Sequence, residues 1–358
     1  LGSLGPDAGA LLCVSPAVGL LSPSMRAALS VLLVGSQPQR VLSLYRIGRP
    51  SRRPLRLHCM MSADADSKQQ AAGLLGQGVA DGRELFTGDT HAKHYAQFRP
   101  TYPPELYECI SRFVGDGAAR DLAMDVGTGS GQAAREIAKM YKKVLATDVS
   151  EAQLDEARAH SVQAGITNIE YQREPAEELN VEHGTVDLIA VAQALHWFEH
   201  DKFYRRAYQV LKDGGVLCAW GYERCDMGNE AAQKVFHEIY EDILGKYWSP
   251  RRRLVEREYE NLEPRNIPPT DLSAPSLTEL FPVVQRERFD MPVPMTIADF
   301  MGYIKSWSSY NTYRRKHPEA NDPLPDIRRK LMAAYGTDDD STPITITHPV
   351  FVMFLRKK

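Results

Sequence analysis

The chain has 358 residues, 43% apolar and 25% charged, which allows one large domain with additions and a sizeable core. A net charge of −3 gives no general reason to expect a nucleic-acid partner, and no apolar run reaches the roughly 18 residues of a membrane span. The five cysteines (Cys13, Cys59, Cys109, Cys218, Cys225) are scattered with no C-x-x-C pair, which suits a reducing compartment and argues against a structural zinc site or a disulfide framework.

Residues 1–60 carry one acid, Asp7, while Arg26, Arg40, Arg46, Arg49, Arg52, Arg53 and Arg56 accumulate among Ser, Ala and Leu. Two readings stand side by side. That composition is typical of an organellar transit peptide. Equally, Met60-Met61 followed by the polar Ser62-Ala63-Asp64-Ala65-Asp66 reads as a native start behind a non-native leader. Either way residues 1–84 are expected to be a disordered extension before a domain over 85–358. The location is expected to be cytoplasmic, or plastid or mitochondrion if the leader is a true transit peptide.

Phe86 to Tyr102 is dense in aromatic, His and Arg residues and reads as a capping segment. Pro103-Pro104 then opens a helix with Leu106, Ile110, Phe113 and Val114 on its apolar face. Next, Leu122-Ala123-Met124 leads into Asp125-Val126-Gly127-Thr128-Gly129-Ser130-Gly131-Gln132. Ala133, Ala134, Ile137, Ala138 and Tyr141 follow at helical spacing. The pattern is strand, glycine turn, helix. Glycines let the backbone turn tightly and approach a ligand, and the helix aims its free N–H groups at the same point. A purely structural turn uses the same residues. The dinucleotide fingerprint needs a third glycine where Gln132 stands.

Val144 to Thr147 reads as a short buried strand ending at Asp148, 19 residues after Gly129. An acid at that strand tip can accept both ribose hydroxyl protons of a nucleoside. Ser150 with Gln153 predicts a capping box for a helix whose inner face is Leu154, Ala157, Ser161 and Ala164, with Gly165 beyond its end. Ile169 to Gln172 is a third strand, and Glu174 to Leu179 follows it. Val186 to Ala192 is nearly continuous apolar, as a parallel strand covered on both faces requires. It runs into Gln193-Ala194-Leu195-His196-Trp197-Phe198. His196 to His200 matches the H-x-x-E-H zinc pattern, but the first histidine follows a strand and the helix begins near His200, so no metal is expected. Phe203, Ala207, Val210 and Leu211 make an amphipathic helix that stops at Lys212-Asp213-Gly214-Gly215. Val216 to Trp220 is the fifth strand. Five strands interleaved with helices predict a parallel, doubly wound sheet.

The C-terminal third predicts helices over Ala231–Leu244, Ile297–Trp307 and Leu324–Tyr335, with a long excursion through Pro264 to Pro294. Arg251-Arg252-Arg253 reads as a solvated run, or as a contact for an acidic partner. Val284–Met291 and Val350–Leu355 are strand candidates, and Pro349 suggests a bulge or an edge.

Taken together, the D-x-G-x-G-x-G loop, the acid at Asp148, the A-E-x-L phrase at Ala176, the polar end of the fourth strand and the L-K-x-G-G-x-L phrase at Leu211 resemble class I S-adenosylmethionine-dependent methyltransferases of the type 11 group. The similarity extends over about residues 86–358, nearest to trans-aconitate and cantharidin-type small-molecule enzymes. The resemblance implies a Rossmann-like seven-stranded sheet, mostly parallel, with an antiparallel C-terminal hairpin and helical cap and insertions. It implies S-adenosyl-L-methionine as cofactor, held by Tyr95, Arg99, Asp125, Gly127, Thr128, Gly129, Gly131, Gln132, Asp148, Val149, Ala176, Glu177 and Gln193. It also implies an acceptor pocket built by insertions within 225–340, with Trp220, Tyr222, Trp307, Tyr310, Tyr313 and Arg314 as candidates.

The expected reaction is displacement of the methyl group by an oxygen of a small molecule, such as a carboxylate. A carboxylate needs no general base; a hydroxyl would, and His196 is the nearest candidate. Arg99 or Arg314 would orient a carboxylate by bidentate contacts. The rivals are an NAD(P)-dependent oxidoreductase, disfavoured by Gln132, and an inactive methyltransferase-like binding module. The oligomeric state is not legible.

Overall fold

A computed structural model describes residues 101–358. The expected extension at 1–84, with its transit-peptide and leader readings, lies outside the described residues.

The chain order is α1 (Pro104–Val114), β1 (Leu122–Val126), α2 (Gln132–Ile137), β2 (Lys143–Asp148), α3 (Glu151–Gln163), β3 (Ile169–Arg173), β4 (Val186–Ala192), α4 (His200–Val210) and β5 (Leu211–Tyr222). It continues with α5 (Glu230–His237), α6 (Arg252–Glu256), α7 (Leu277–Leu280), β6 (Val283–Thr296), α8 (Ile297–Lys305), α9 (Ser308–Lys316), α10 (Leu324–Ala334) and β7 (Pro343–Arg356). The seven strands lie in the order β3-β2-β1-β4-β5-β7-β6. β1 to β5 pair in parallel, and β7 is antiparallel to both β5 and β6. This is the doubly wound sheet with a C-terminal hairpin that the sequence predicts. The order reverses between β1 and β4, and such a switch point opens a crevice at the carboxyl ends of the strands.

One sheet face buries Met124, Val126, Ile189, Val191 and Phe203. The other packs Ala123, Val144, Leu188 and Trp220 against Ile110 of α1 and Ile137 of α2. β4 lies between two strands and is covered on both faces, so its sequence is almost unbroken apolar. Its one charge, Asp187, is 7% exposed and fully engaged. Asp187 Oδ2 accepts from the Asp121 and Leu122 amides at 2.9 Å each, and Oδ1 meets Lys212 Nζ at 2.6 Å. A buried carboxylate without such partners would cost several kcal/mol, roughly, so this clamp fixes where β1 starts beside β4. A third core, around Phe236, Phe300, Ile304, Trp307 and Leu331, joins α5, α8 and α10 into a helical cap.

Several expectations are corrected. Ser150 stands at the start of α3 but its side chain makes no capping bond, so the predicted capping box is absent. Its amide donates to Asp148 Oδ1 at 2.9 Å, and Gln153 turns inward, 3% exposed. Ala164 is exposed rather than on the inner face of α3. The helix predicted over 231–244 is α helical only to His237 and continues as a π turn over Glu238–Ile243. A helix that the sequence reading lacked, α9, follows α8. Pro349 marks no edge: β7 lies inside the sheet, and β6 is the edge strand. Pairing with β5 ends at Tyr222–Val350, and Pro349 O accepts from the Glu223 amide at 2.9 Å. The N–H and C=O of one extended residue face the same neighbour, so the missing N–H falls where β5 departs. No helix among the described residues is long and apolar enough to cross a membrane.

Candidate active site

The glycine turn joins β1 to α2 with Gly127, Gly129 and Gly131 at φ values of +72°, +55° and +76°. A Cβ on Gly127 would lie 2.6 Å from Ala194 Cβ, so the turn and the end of β4 touch only because this residue is glycine. The Gly127 and Thr128 amides continue the β1–β2 ladder by donating to Thr147 O at 2.8 and 2.9 Å. Gly129 N then donates to Asp148 Oδ2 at 2.9 Å.

Above this turn lies a cavity of about 160 Å³ at the carboxyl ends of β1, β2 and β4. Of the residues singled out from sequence, Gly127, Thr128, Gly129, Gln132, Asp148, Val149, Ala176, Glu177 and Gln193 all line it. Asp125 and Gly131 do not. Asp125 is fully buried below the turn, where Thr128 Oγ1 donates to it at 2.6 Å. Burial pushes the Asp125 carboxyl up to about 7 against that hydrogen bond. Its place is support for the loop. Gly131 packs against α3 and β3, where a Cβ would lie 2.8 Å from Tyr171 Oη and 3.0 Å from Ala157 Cβ. Tyr95 and Arg99 lie outside the described residues.

The cavity fits a nucleoside. Asp148 presents acceptor oxygens at one strand tip; burial raises its pKa while the Ser150 and Gly129 amides pull it down. Val149, 38% exposed, and Ala176 offer apolar surface beside it. Gln153 Oε1 is buried in the wall with no hydrogen-bond partner, which asks for a ligand donor. The sequence reading had used Gln153 as a cap and so missed it. Glu177 is partly committed, since its Oε1 accepts from the Glu199 amide at 2.7 Å.

A second cavity, of about 140 Å³, adjoins the first. Gln193 and Trp197 line both. Gln193 holds φ at +53°, a conformation costing a non-glycine residue about 1–3 kcal/mol. Its amide donates to Trp220 O at 2.8 Å and its Nε2 to Tyr222 O at 3.2 Å, which tie the ends of β4 and β5 together. The outer wall comes from Tyr240, Trp248, Arg252, Tyr303 and Trp307. Arg252 lies over the rings of Tyr240 and Trp248, at 4.9 and 5.2 Å from their centres, with Nε 2.9 Å from Glu256 Oε1. Its Nη1 is buried with no hydrogen-bond partner.

The solvated reading of the arginine run is therefore wrong for two of its three members. Arg251 is 7% exposed and donates to His196 O at 2.8 Å, and Arg252 forms cavity wall. Among the predicted acceptor-pocket residues, Tyr222 and Trp307 line this cavity and the rest do not. Trp220 is fully buried, edge-on to Tyr102 and Tyr107. Tyr310 donates to Asp322 Oδ2 at 2.9 Å, and Tyr313 sits edge-on to Tyr247. Arg314 donates to Ala320 O at 2.8 Å, so it is not placed to orient an acceptor.

His196 lines the second cavity, with Nδ1 2.9 Å from Tyr259 Oη. Burial, then the charge of Arg251, lower its pKa to about 3. His200 turns to a different partner, Leu195 O at 3.0 Å, so the two histidines of the zinc-like pattern do not converge. Among the described residues no group of three or more His, Cys, Asp or Glu side chains is arranged to hold a metal ion.

Comparison with known proteins agrees with this geometry. A family profile described as "Methyltransferase domain" matches residues 124–219, from β1 into β5. A Dictyostelium discoideum protein provisionally named a methyltransferase is 35% identical over 270 residues, covering 75% of this chain and 93% of that one. A Saccharomyces cerevisiae protein provisionally named an S-adenosylmethionine-dependent methyltransferase is 24% identical over 283 residues, covering 74% and 95%. The solved structure of an Anaeromyxobacter dehalogenans protein provisionally titled a type II methyltransferase superposes with a TM-score of 0.58 at 30% identity, covering 72% of this chain and 98% of that one. The chain belongs to the class I S-adenosylmethionine-dependent methyltransferases.

Proposed function

We propose that this methyltransferase acts on an oxygen of a small molecule, a carboxylate being the acceptor class that asks least of the protein. The observation that carries the proposal is the contact between the two cavities. They share Gln193 and Trp197, so a methyl donor in the first faces an acceptor in the second across these two residues.

In this reading Asp148 accepts from the ribose hydroxyls, Val149 and Ala176 flank the base, and the Gly127–Gly129 backbone passes close to the amino-acid end, where Gln193 stands. Asp125 holds the loop from below. S-adenosylmethionine supplies an electrophilic methyl on a cationic sulfur. The protein's part is alignment and exclusion of water, and well-oriented pairs reach effective molarities of about 10⁵–10⁸ M. The insertions within 225–340 provide the acceptor walls. Arg252 is assigned the role that Arg314 is not placed to fill, because its Nη1 is buried and unpartnered and its guanidinium lies over two aromatic rings. His196 is a poor base here, since burial and Arg251 oppose its protonated form. Its hydrogen bond to Tyr259 suits it to hold the wall.

The test is transfer of labelled methyl to a panel of small carboxylic acids and phenols, with S-adenosylhomocysteine binding followed by calorimetry. Base-labile methyl esters are expected. Tight binding of S-adenosylhomocysteine with label transferred only to nitrogen or to macromolecules would refute the acceptor assignment.

A further inference from the structure

Glu223 lines the second cavity immediately after β5, one residue beyond the Tyr222 carbonyl that accepts from Gln193 Nε2. It therefore stands on the acceptor side of the seam between the two cavities. Its backbone is fixed from both directions. The amide donates to Pro349 O at 2.9 Å, and the carbonyl is 2.8 Å from His348 Nδ1. Its side chain is partly buried, and the Glu258 carboxylate faces it.

Glu258 is held for that contact. It adopts φ +52°, its side chain is 13% exposed, and Arg288 Nε donates to its Oε2 at 2.8 Å. Arg286 from the same strand stands 4.0 Å away. Both guanidinium groups hold the Glu258 side chain in place. Burial and the facing Glu258 raise Glu223 to about 7, while Arg288 and Arg224 pull the other way. Arg252 and Glu256 of α6 and His348 of β7 face the same cavity. A carboxylate that takes up a proton near neutral pH beside a docked acceptor has the properties of a general base. The aromatic walls, Tyr240, Trp248 and Trp307, fit a flat ring.

We propose that Glu223 is the proton acceptor of this site, so that the enzyme also methylates small molecules whose oxygen arrives protonated, phenols in particular. The inference rests on the reading of the second cavity as the acceptor site. The O–H bond breaks and its proton joins a Glu223 oxygen. The electron pair left on the acceptor oxygen becomes the new O–CH3 bond, and the donor sulfur keeps the pair of the bond it loses. Glu223 then releases its proton to solvent. Glu258 is a positioning residue that sets where Glu223 titrates.

The experiment follows labelled-methyl transfer to 4-methylphenol and to benzoate, with wild type, Glu223→Gln and Glu258→Gln, across about pH 6 to 9. A phenol of this kind ionises near 10, roughly like tyrosine, so a limb near neutrality belongs to the protein. Wild type should show that limb with 4-methylphenol. Glu258→Gln should move it to lower pH, since the facing carboxylate is gone. Glu223→Gln should abolish it and reduce kcat/KM on the phenol by about 10²–10⁴-fold. S-adenosylhomocysteine affinity reports whether each variant is folded, and the Glu258 shift serves if Glu223→Gln is not. A limb at the same pH in Glu258→Gln, or phenol turnover that survives Glu223→Gln, overturns the inference. Transfer to benzoate with none to the phenol overturns it too and leaves the proposed function standing. Transfer to neither, with S-adenosylhomocysteine bound, overturns both.

Discussion

The Gly129 amide donates to Asp148 Oδ2 at 2.9 Å, so the glycine turn and the tip of β2 are fastened by the same carboxylate that faces the cofactor cavity. Asp148 therefore shapes the loop as well as offering oxygens to a ribose. Asp148→Ala should weaken S-adenosylhomocysteine binding at least about tenfold, because a hydrogen bond involving a charged group contributes about 1.5–3 kcal/mol. Asp148→Asn keeps one acceptor oxygen for the Gly129 amide and should lie between. Calorimetry on the three proteins decides, and unchanged affinity in Asp148→Ala would remove the ribose assignment.

The turn makes a second, separable prediction. Both Gly127 and Gly129 hold positive φ, which costs an alanine about 1–3 kcal/mol. Gly127→Ala adds a clash, with its Cβ 2.6 Å from Ala194 Cβ, whereas a Cβ on Gly129 meets nothing nearer than Gln153 Oε1 at 3.7 Å. Denaturant titration should thus show a larger loss of stability for Gly127→Ala. Gly129→Ala should fold but bind S-adenosylhomocysteine poorly, because its methyl would project into the cavity. Equal stabilities, or full binding by Gly129→Ala, would contradict this account of the cradle.

The cofactor side of the site was legible because its signals are local. A strand, a glycine turn and a helix are contiguous in sequence, and Asp148 ends the next short apolar run. The run from Val186 to Ala192 is equally explicit, since β4 is covered on both faces. The acceptor side was legible only in part: Tyr222 and Trp307 were singled out, while Trp220, Tyr310, Tyr313 and Arg314 lie elsewhere and Arg252 was missed. Gln193, Tyr222, Arg252 and Trp307 meet there from four distant segments, and no periodicity encodes that meeting. Arg252 looked like a solvent-facing charge because its burial depends on Tyr240 and Trp248, which reach it through a π turn and a short 3-10 turn. The helix Ser308–Lys316 was missed because its polar composition, SSYNTYRRK, hides the inward face at Ser309, Tyr310 and Thr312. Ser150 misled in the other direction: its motif was present, but Gln153 serves the cavity wall instead.

Arg252 also gives the acceptor assignment a direct test. Arg252→Met retains length and apolar bulk over Tyr240 and Trp248 and loses the charge and the Nη1 donor. For a carboxylate acceptor KM should rise about 10-fold to 100-fold, the range expected when a charge-assisted hydrogen bond is lost. S-adenosylhomocysteine affinity should stay within about threefold, since Arg252 does not line that cavity. Steady-state kinetics against calorimetry separates the two. A KM that does not move would mean that the acceptor's charge is read elsewhere.

The buried histidines predict how stability depends on pH. His200 is 6% exposed and burial lowers its pKa from 6.5 to about 4, as it lowers that of His196 to about 3. Between about pH 4 and 6.5 the unfolded chain therefore binds more protons at these sites than the folded one. Their contribution is present above 6.5 and is lost as pH falls through that window. Asp125, raised to about 7, works in the opposite sense: its contribution is present below the unfolded carboxyl range and is lost as pH rises through about 7. The wild-type curve mixes the two, so the informative quantity is the difference from a variant. His200→Gln keeps a nitrogen donor within reach of Leu195 O, the partner of His200 Nε2, and removes the titration. From about pH 7.5, above the window, to about pH 5, inside it, wild type should lose about 2 kcal/mol more stability than His200→Gln. Urea unfolding of both proteins at the two pH values measures this. Parallel losses would mean that His200, at the start of α4, meets solvent in the folded state.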